Sequence, residues 1–156
     1  MNGDPVKGET FPEKFFNKYF IPYLKGAETQ PLDDGTFIVY FSDGTALRQD
    51  TTHPEKINGW FFYPSNAKRC GLYPQNGIGM NKMACDGKCC FGFSFSILEG
   101  RYGNTRAGFE PNKYYWDKGT REQLVSLCKV YRFSCAALIQ YDGWHFPKDY
   151  PQRIKL

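Results

Sequence analysis

The sequence predicts an α+β domain: an N-terminal helix, a mainly antiparallel sheet, and a second helix before a C-terminal strand. Three observations predict it. Aromatic residues recur at helical spacing near the start. Asp-Gly pairs and a strictly alternating segment mark strands and tight turns through the middle. A capped amphipathic stretch then runs into a short apolar segment near the end.

The first element is FPEKFFNKYFIPYLK, residues 11–25. Phe15, Phe16, Tyr19, Phe20 and Tyr23 fall at roughly helical spacing, and Pro12 and Glu13 suit a first turn. Pro22 ends the helix between Tyr19 and Leu24, because its ring clashes with the preceding turn. The aromatic stripe is read as core packing.

LDDGTFIVYFSDGTALRQD comes next. Thr36–Phe41 and Thr45–Arg48 are predicted as strands of a hairpin that turns at Ser42–Gly44. Asp33 and Asp34 are read as turn residues that bond local backbone, not as acid–base catalysts. Thr51–Ile57 is predicted as loop, Trp60–Tyr63 as a strand, and Pro64–Lys82 as loop. FGFSFSIL, Phe91–Leu98, has period two, which predicts a half-buried strand with Phe91, Phe93, Phe95 and Ile97 on one face. Glu99–Lys118 reads as a long connection rich in Gly, Asn and Tyr.

Thr120 followed by Gln123 makes a capping box for a helix over Thr120–Tyr131, with Leu124, Leu127, Cys128 and Tyr131 on one stripe. Cys135–Tyr141 is predicted as the returning apolar strand, turned by Asp142-Gly143. The chain of 156 residues is expected to form a single domain.

Composition narrows the function classes. Aromatics make up 18% of the chain, which favours pleated, half-buried surfaces. The net charge of +4 is scattered with no basic run beyond two residues, so no nucleic-acid partner is expected. No stretch of about 18 apolar residues is present to span a bilayer. The start, MNGDPVKGET, is polar and lacks the apolar core of a signal peptide.

The six cysteines are Cys70, Cys85, Cys89, Cys90, Cys128 and Cys135. An even count is compatible with three disulfides and hence an oxidising compartment. Cys128 and Cys135 are the clearest pair, since a tight return from a helix brings two Cα atoms within the required ~4.4–6.8 Å. Adjacent Cys89 and Cys90 face opposite ways and take different partners, with Cys70 and Cys85 the candidates; their connectivity stays open. Zinc at CDGKCC is the competing reading, yielding a zinc-bound cytosolic domain, but the separated pairs of a zinc site are lacking, and His53 and His145 have no ligand-like spacing. We therefore expect no metal and no cofactor.

No G-x-S-x-G elbow, H-E-x-x-H or phosphate loop is present, so no catalytic residues and no enzyme are expected. GIGMNK, residues 77–82, lacks the Ser or Thr and the helix signal of a phosphate loop. A cysteine–histidine nucleophile pair arises by chance in a cysteine-rich chain. A lone aromatic run, Tyr114, Tyr115 and Trp116, is the candidate contact for a carbohydrate or protein ligand.

The closing stretch SLCKVYRFSCAALIQYDGWHFPKDYP resembles the C-terminal segment of bacterial type IV pilin-like proteins and their type II secretion pseudopilin relatives. The matching positions are Cys128, Cys135, Ala136–Tyr141, Trp144 and Asp149-Tyr150-Pro151. FFNKYFIPYLKG with LDDGTFIVYF resembles the segment after the membrane-embedded helix in that group. The resemblance implies a long N-terminal helix, an antiparallel sheet and a disulfide that closes the C-terminal region. It also implies a structural subunit of a pilus-like or pseudopilus-like filament, with other pilin or pseudopilin subunits as partners. The expected location is periplasmic or extracellular, at the bacterial cell envelope. The hydrophobic half-helix and cleavage motif of that family are absent from these residues, so attachment to the inner membrane is expected from a segment preceding them. Some pseudopilins carry an acidic calcium loop; GLYPQNGIGMN departs from it, and CDGKCC has no counterpart in the pattern. In this reading Trp144 and Pro147 pack the tail over a sheet edge. The alternative is a disulfide-stabilised secreted module that binds carbohydrate or protein.

Overall fold

A helix lies across an antiparallel sheet whose six strands bond strictly in sequence order. The strands are β1 (Glu28–Pro31), β2 (Phe37–Tyr40), β3 (Ala46–Gln49), β4 (Gly59–Tyr63), β5 (Phe91–Ser96) and β6 (Gly108–Pro111). The helices are α1 (Phe11–Tyr19), α2 (Ala67–Cys70), α3 (Arg121–Val130) and α4 (Cys135–Tyr141). This computed structural model describes residues 11–33, 35–50, 58–65, 67–70, 86–96 and 107–152.

The α1 helix ends as expected at Tyr19, and Pro22 sits in a 3-10 turn over Ile21–Tyr23. Of its aromatic stripe, Phe16 and Phe20 pack in the core as expected, whereas Tyr19 and Tyr23 are exposed. Phe16 is buried, stacks on Phe20, and tilts against Phe37 and Trp60 at centroid distances of 5.7 and 5.3 Å. Phe20 meets Phe95 and Phe109 edge-on. One sheet face thus presents Phe37, Val39, Leu47, Trp60, Phe93 and Phe95 to α1 and the turn after it. Offset and edge-on ring pairs of this kind add to the burial of their area.

The β2–β3 hairpin forms at the predicted turn, in the register Ile38↔Arg48, Val39↔Leu47, Tyr40↔Ala46. Asp43 Oδ1 accepts from the Thr45 amide and hydroxyl at 2.9 and 2.7 Å. Those two bonds hold the Asp43 carboxyl below the usual carboxylate range. Gly44 takes a φ of +87° there, which a side chain would resist.

The opposite face carries Ile38, Ala46, Phe61 and Tyr63, packed with Ala67, Cys90 and Phe133. Phe133 lies in a 3-10 turn, Arg132–Ser134, that links α3 to α4. A Cβ on Gly92 would lie 2.7 Å from both the Cβ and the carbonyl oxygen of Phe133. The glycine in β5 is therefore what lets the α3–α4 link seat on the sheet. Leu124, Cys128, Cys135 and Leu138 bury against one another and against Phe91.

Several expectations are corrected. Cys135–Tyr141 is helix α4, not a strand, so no strand comes after α3 among the described residues. The run is short and apolar, and such runs do not separate strand from helix by periodicity. Ala136, Ala137 and Leu138 are strong helix formers, and the chain enters α4 from a helical turn. In β5, Phe91, Phe93 and Phe95 share one face as expected, but the serines of the other face are buried as well, Ser94 at 1% and Ser96 at 5% exposure, while Phe93 and Phe95 are half-buried. That strand is covered on both faces, and alternation reads as one buried face only when the other meets water. Two strands were unforeseen: β1, a polar edge strand, and β6, inside the stretch read as connection. The loop expected over Pro64–Lys82 begins with the short helix α2. The predicted loop over Thr51–Ile57, with His53, lies outside the described residues, as do Ile97, Cys85 and GIGMNK.

Candidate functional site

Two features hold the chemistry that the sequence flagged: a disulfide-bonded hub and an aromatic loop.

At the hub, Asp86 Oδ1 accepts the amides of Lys88, Cys89 and Cys90 at 2.8, 2.9 and 3.2 Å. One carboxylate thereby fixes the tight turn of CDGKCC, the local role short acidic side chains play before a turn. The Cys70–Cys89 bond ties this turn to α2, with Cα atoms 5.9 Å apart. The Cys128–Cys135 bond closes the end of α3 onto the start of α4, at 4.4 Å. Cys90 is also disulfide-bonded, and no described cysteine is free. Cys70, Asp86 and Cys89 gather within 4.8 Å, the spacing of a metal cluster. Two of those sulfurs are bonded to each other, so they offer no thiolate to a zinc ion.

Gly87 joins the two bridges. It has a φ of +68°, and a Cβ there would lie 2.7 Å from Cys135 Sγ and 3.0 Å from Gln152 Cγ. The Tyr150 hydroxyl donates to the Gly87 carbonyl, and Gln152 Nε2 donates to the Cys128 carbonyl at 2.9 Å. Burial and the nearby Asp86 carboxylate push the Tyr150 hydroxyl upward from its ordinary range. The tail is held again at α3, where Arg121 donates to both oxygens of Asp142 and both of Asp149, each bond 2.8–2.9 Å long. Those bonds hold the Asp149 carboxyl below its ordinary value.

The second feature runs from Asn112 to Thr120. Asn112 Oδ1 accepts the Tyr114 amide at 3.1 Å, and the Trp116 amide donates to the Lys113 carbonyl at 2.9 Å. Trp116 Nε1 donates to the Thr120 carbonyl at 2.8 Å. Thr120 caps α3 as expected, its hydroxyl accepting the Gln123 amide. The Gln123 side chain reaches the loop: Nε2 donates to the Tyr115 carbonyl and to Asp117, and Oε1 accepts the Lys118 amide. The bond from Gln123 is the main reason the Asp117 carboxyl is held low.

This loop holds the predicted contact residues in fixed positions. Tyr114 and Tyr115 are exposed and pack edge to face, Tyr115 stacks on Tyr131 at 4.8 Å, and Trp116 is half-buried. Trp116 also meets Tyr141, 6.0 Å away edge-on, at the end of α4. Beyond Tyr141 the chain leaves the helix through Gly143, and the Trp144 amide donates back to the Ile139 carbonyl at 2.8 Å. Trp144 has a φ of +65°, a conformation that costs an L-residue about 1–2 kcal/mol. It is exposed, so it does not pack the tail over a sheet edge as expected, and Pro147 is only half-buried.

The structure adds two exposed aromatics that sequence reasoning did not single out as exposed, Tyr141 and Trp144, because it placed the first on a strand and the second in a packed tail. Sequence reasoning also read Gln123 as a cap alone. The signal for its second role was the polar loop directly before the cap, within reach of a long amide on the first turn.

Residues 2–154 match a family described as a family of unknown function (DUF6613). No curated protein matches the chain. No solved structure matches it either.

Proposed function

The chain belongs to that family of unknown function, and from this premise we propose that it is a structural subunit of a type IV pilus-like or type II secretion pseudopilus-like filament. The observation that carries the reading is α1 laid across an antiparallel sheet. Phe16 and Phe20 insert among Phe37, Trp60, Phe95 and Phe109, so a segment continuing α1 upstream would be anchored to the domain by that packing. In this reading such a segment supplies the inner-membrane attachment and the packing with neighbouring subunits. Among the described residues no helix is long and apolar enough to cross a membrane.

Two further features support the reading. The Cys128–Cys135 bond lies where the resemblance implies a bridge, and Tyr150 ties the Asp-Tyr-Pro tail to the body. Disulfides fit an oxidising compartment, as an envelope location requires. The departure is α4: a helical hairpin, not a strand, closes this domain.

The test is recovery of the native protein from cells. Surface fibres are sheared off, inner membranes are separated, and both are probed with antibody raised to residues 11–152. The reading expects the chain in sheared fibres or in a membrane-attached assembly that cross-links into ladders. Recovery solely as a free monomer in the medium would overturn it. The competing reading, a binding module, is favoured by one specific observation, the prearranged aromatic loop.

A further inference from the structure

The two bridges described above sit in different surroundings. Cys128 and Cys135 are wholly buried, and Gln152 bonds to the Cys128 carbonyl beside them. Cys70 and Cys89 are only half-buried, as is the neighbouring Asp86. Thiol–disulfide exchange depends on access, so a reductant in solution reaches the Cys70–Cys89 bridge first. We propose that the reduced form of this bridge is a metal site, in which Cys70, Cys89 and Asp86 hold one zinc ion that oxidation to the disulfide expels.

The ligand atoms are nearly in place. Asp86 Oδ1 is occupied by the three amides of the turn, while Oδ2 faces Cys89 Sγ at 3.4 Å. With zinc bonds of about 2.3 Å to sulfur and about 2.1 Å to oxygen, the tetrahedral edge between two such ligands is about 3.6 Å. The three amides act as the outer hydrogen bonds that orient a ligating carboxylate. Two thiolates on one zinc ion stand about 3.8 Å apart. Rotation of the two side chains supplies that opening with the Cα atoms still 5.9 Å apart. Both ends are held by more than the bridge. Ala67 of α2 and Cys90 of the turn are buried in one cluster, and Cys70 packs against it.

The donor set selects the metal. Soft sulfur favours zinc over calcium or magnesium, which take oxygen ligands. Exchange with a dithiol reductant passes two electrons to the bridge and leaves two protein thiols and the reductant's own disulfide. Zinc then displaces the two thiol protons and binds both thiolates. Beside Asp86 a bare thiolate is disfavoured by like charge, and the cation removes that repulsion. Exchange with a disulfide oxidant takes the two electrons back, re-forms the S–S bond and frees the ion. Among the described residues the group has three members, so water takes the fourth position, as in other three-ligand zinc sites. Every copy of the chain is a dithiol before its bridges form, so the metal-binding state precedes the bonded one.

The experiment treats the native protein with graded amounts of a water-soluble phosphine, which takes up the oxygen of one water for each bridge it reduces. Alkylation with peptide mapping should find Cys70 and Cys89 free first, and Cys128 and Cys135 last. The partly reduced protein, kept under argon, is titrated with zinc against a chromogenic chelator, and with cobalt(II) as a visible reporter of thiolate ligation. One ion per chain is expected, and it should protect Cys70 and Cys89 from alkylation. The oxidised protein should bind none. In Asp86→Asn the amide oxygen still accepts the three backbone bonds while the second ligand oxygen is lost, so binding should weaken at least tenfold. Protection of Cys70 and Cys89 is read in the unsubstituted chain, so it stands whether or not the variant folds. Zinc that leaves both cysteines open to alkylation overturns the proposal, as does no binding at micromolar zinc or binding that Asp86→Asn leaves intact. Release of Cys128 and Cys135 together with Cys70 and Cys89 overturns the selective opening. Binding that begins only when Cys90 is also freed overturns it in favour of a cluster of thiolates alone. None of these outcomes bears on recovery in fibres, so the two proposals fail separately.

Discussion

Gly92 and Gly87 are glycines for lack of space, and each sits where two parts of the chain meet. At Gly92 the obstacle is the Phe133 backbone, which has little freedom to move. Gly92→Ala is expected to destabilise by about 1–3 kcal/mol or more, the range for overpacking. A urea midpoint that falls with an unchanged slope would show it. Gly87→Ala adds a positive φ to a clash with the Cys135 sulfur and should cost at least as much, whereas Gly119→Ala, at φ +67° in open space, bears only the backbone term. Tyr63 makes a different claim. Burial pushes its hydroxyl up to about 12, against the opposing pull of Arg48, its hydrogen-bond partner. A raised folded value means the folded state holds its proton longer than the unfolded chain. Stability is therefore complete below about pH 10 and falls as pH rises to about 12. Tyr150 has the same sign. Asp149 has the opposite sign: its carboxyl is held low, so its contribution is present above about pH 4 and fades as pH falls further. Unfolding curves across pH should show both limbs. Tyr63→Phe should flatten the alkaline one and Arg121→Gln the acid one.

Elements succeed or fail here by what they pack on. Phe16 is the anchor of α1, with three ring partners and 1% exposure. Phe16→Ala should cost about 3–5 kcal/mol, the usual loss for a buried aromatic, and should expose α1 to proteolysis before the sheet. The α3–α4 pair is closed by a seven-residue span. Selective loss of that bridge in a Cys128→Ala/Cys135→Ala double variant should cost about 2–3 kcal/mol. The elements legible in the sequence were those with local signatures: α1 from its Pro-bounded aromatic stripe, β2–β3 from Asp-Gly, and α3 from its capping box. The illegible ones took their form from tertiary context. β1 has almost no apolar residue, and it is a strand because β2 offers it an edge. β6 is four residues ending in proline, placed by β5. α4 is a short apolar run whose periodicity separates neither element, and its entry from the 3-10 turn over Arg132–Ser134 goes with its helix formers.

For the molecule as a whole, the cysteine count was the most informative sequence feature. The pairing of Cys128 with Cys135 followed from spacing; that of Cys70 with Cys89 did not, because it depends on where α2 lies. Intact mass after alkylation should show no modified cysteine without reductant and six with it. Alkylation of the native, unreduced protein would remove the ground for an oxidising compartment. The aromatic triplet was visible as a candidate contact, but the fixed geometry around it was not, since it arises from Gln123 and from a helix the sequence concealed. The topology has one more consequence, for how such a chain comes into being. Every strand pairs with its neighbour in sequence, and the two bridges described join cysteines only 19 and 7 residues apart. A chain delivered through an export channel with its N-terminus first would find each partner already outside. Each second thiol would emerge soon after the first, leaving these two bonds no need for reshuffling. The clasp of Tyr150 on Gly87, spanning 63 residues, would close later than either bridge, together with the tail's bonds to Arg121 and Cys128.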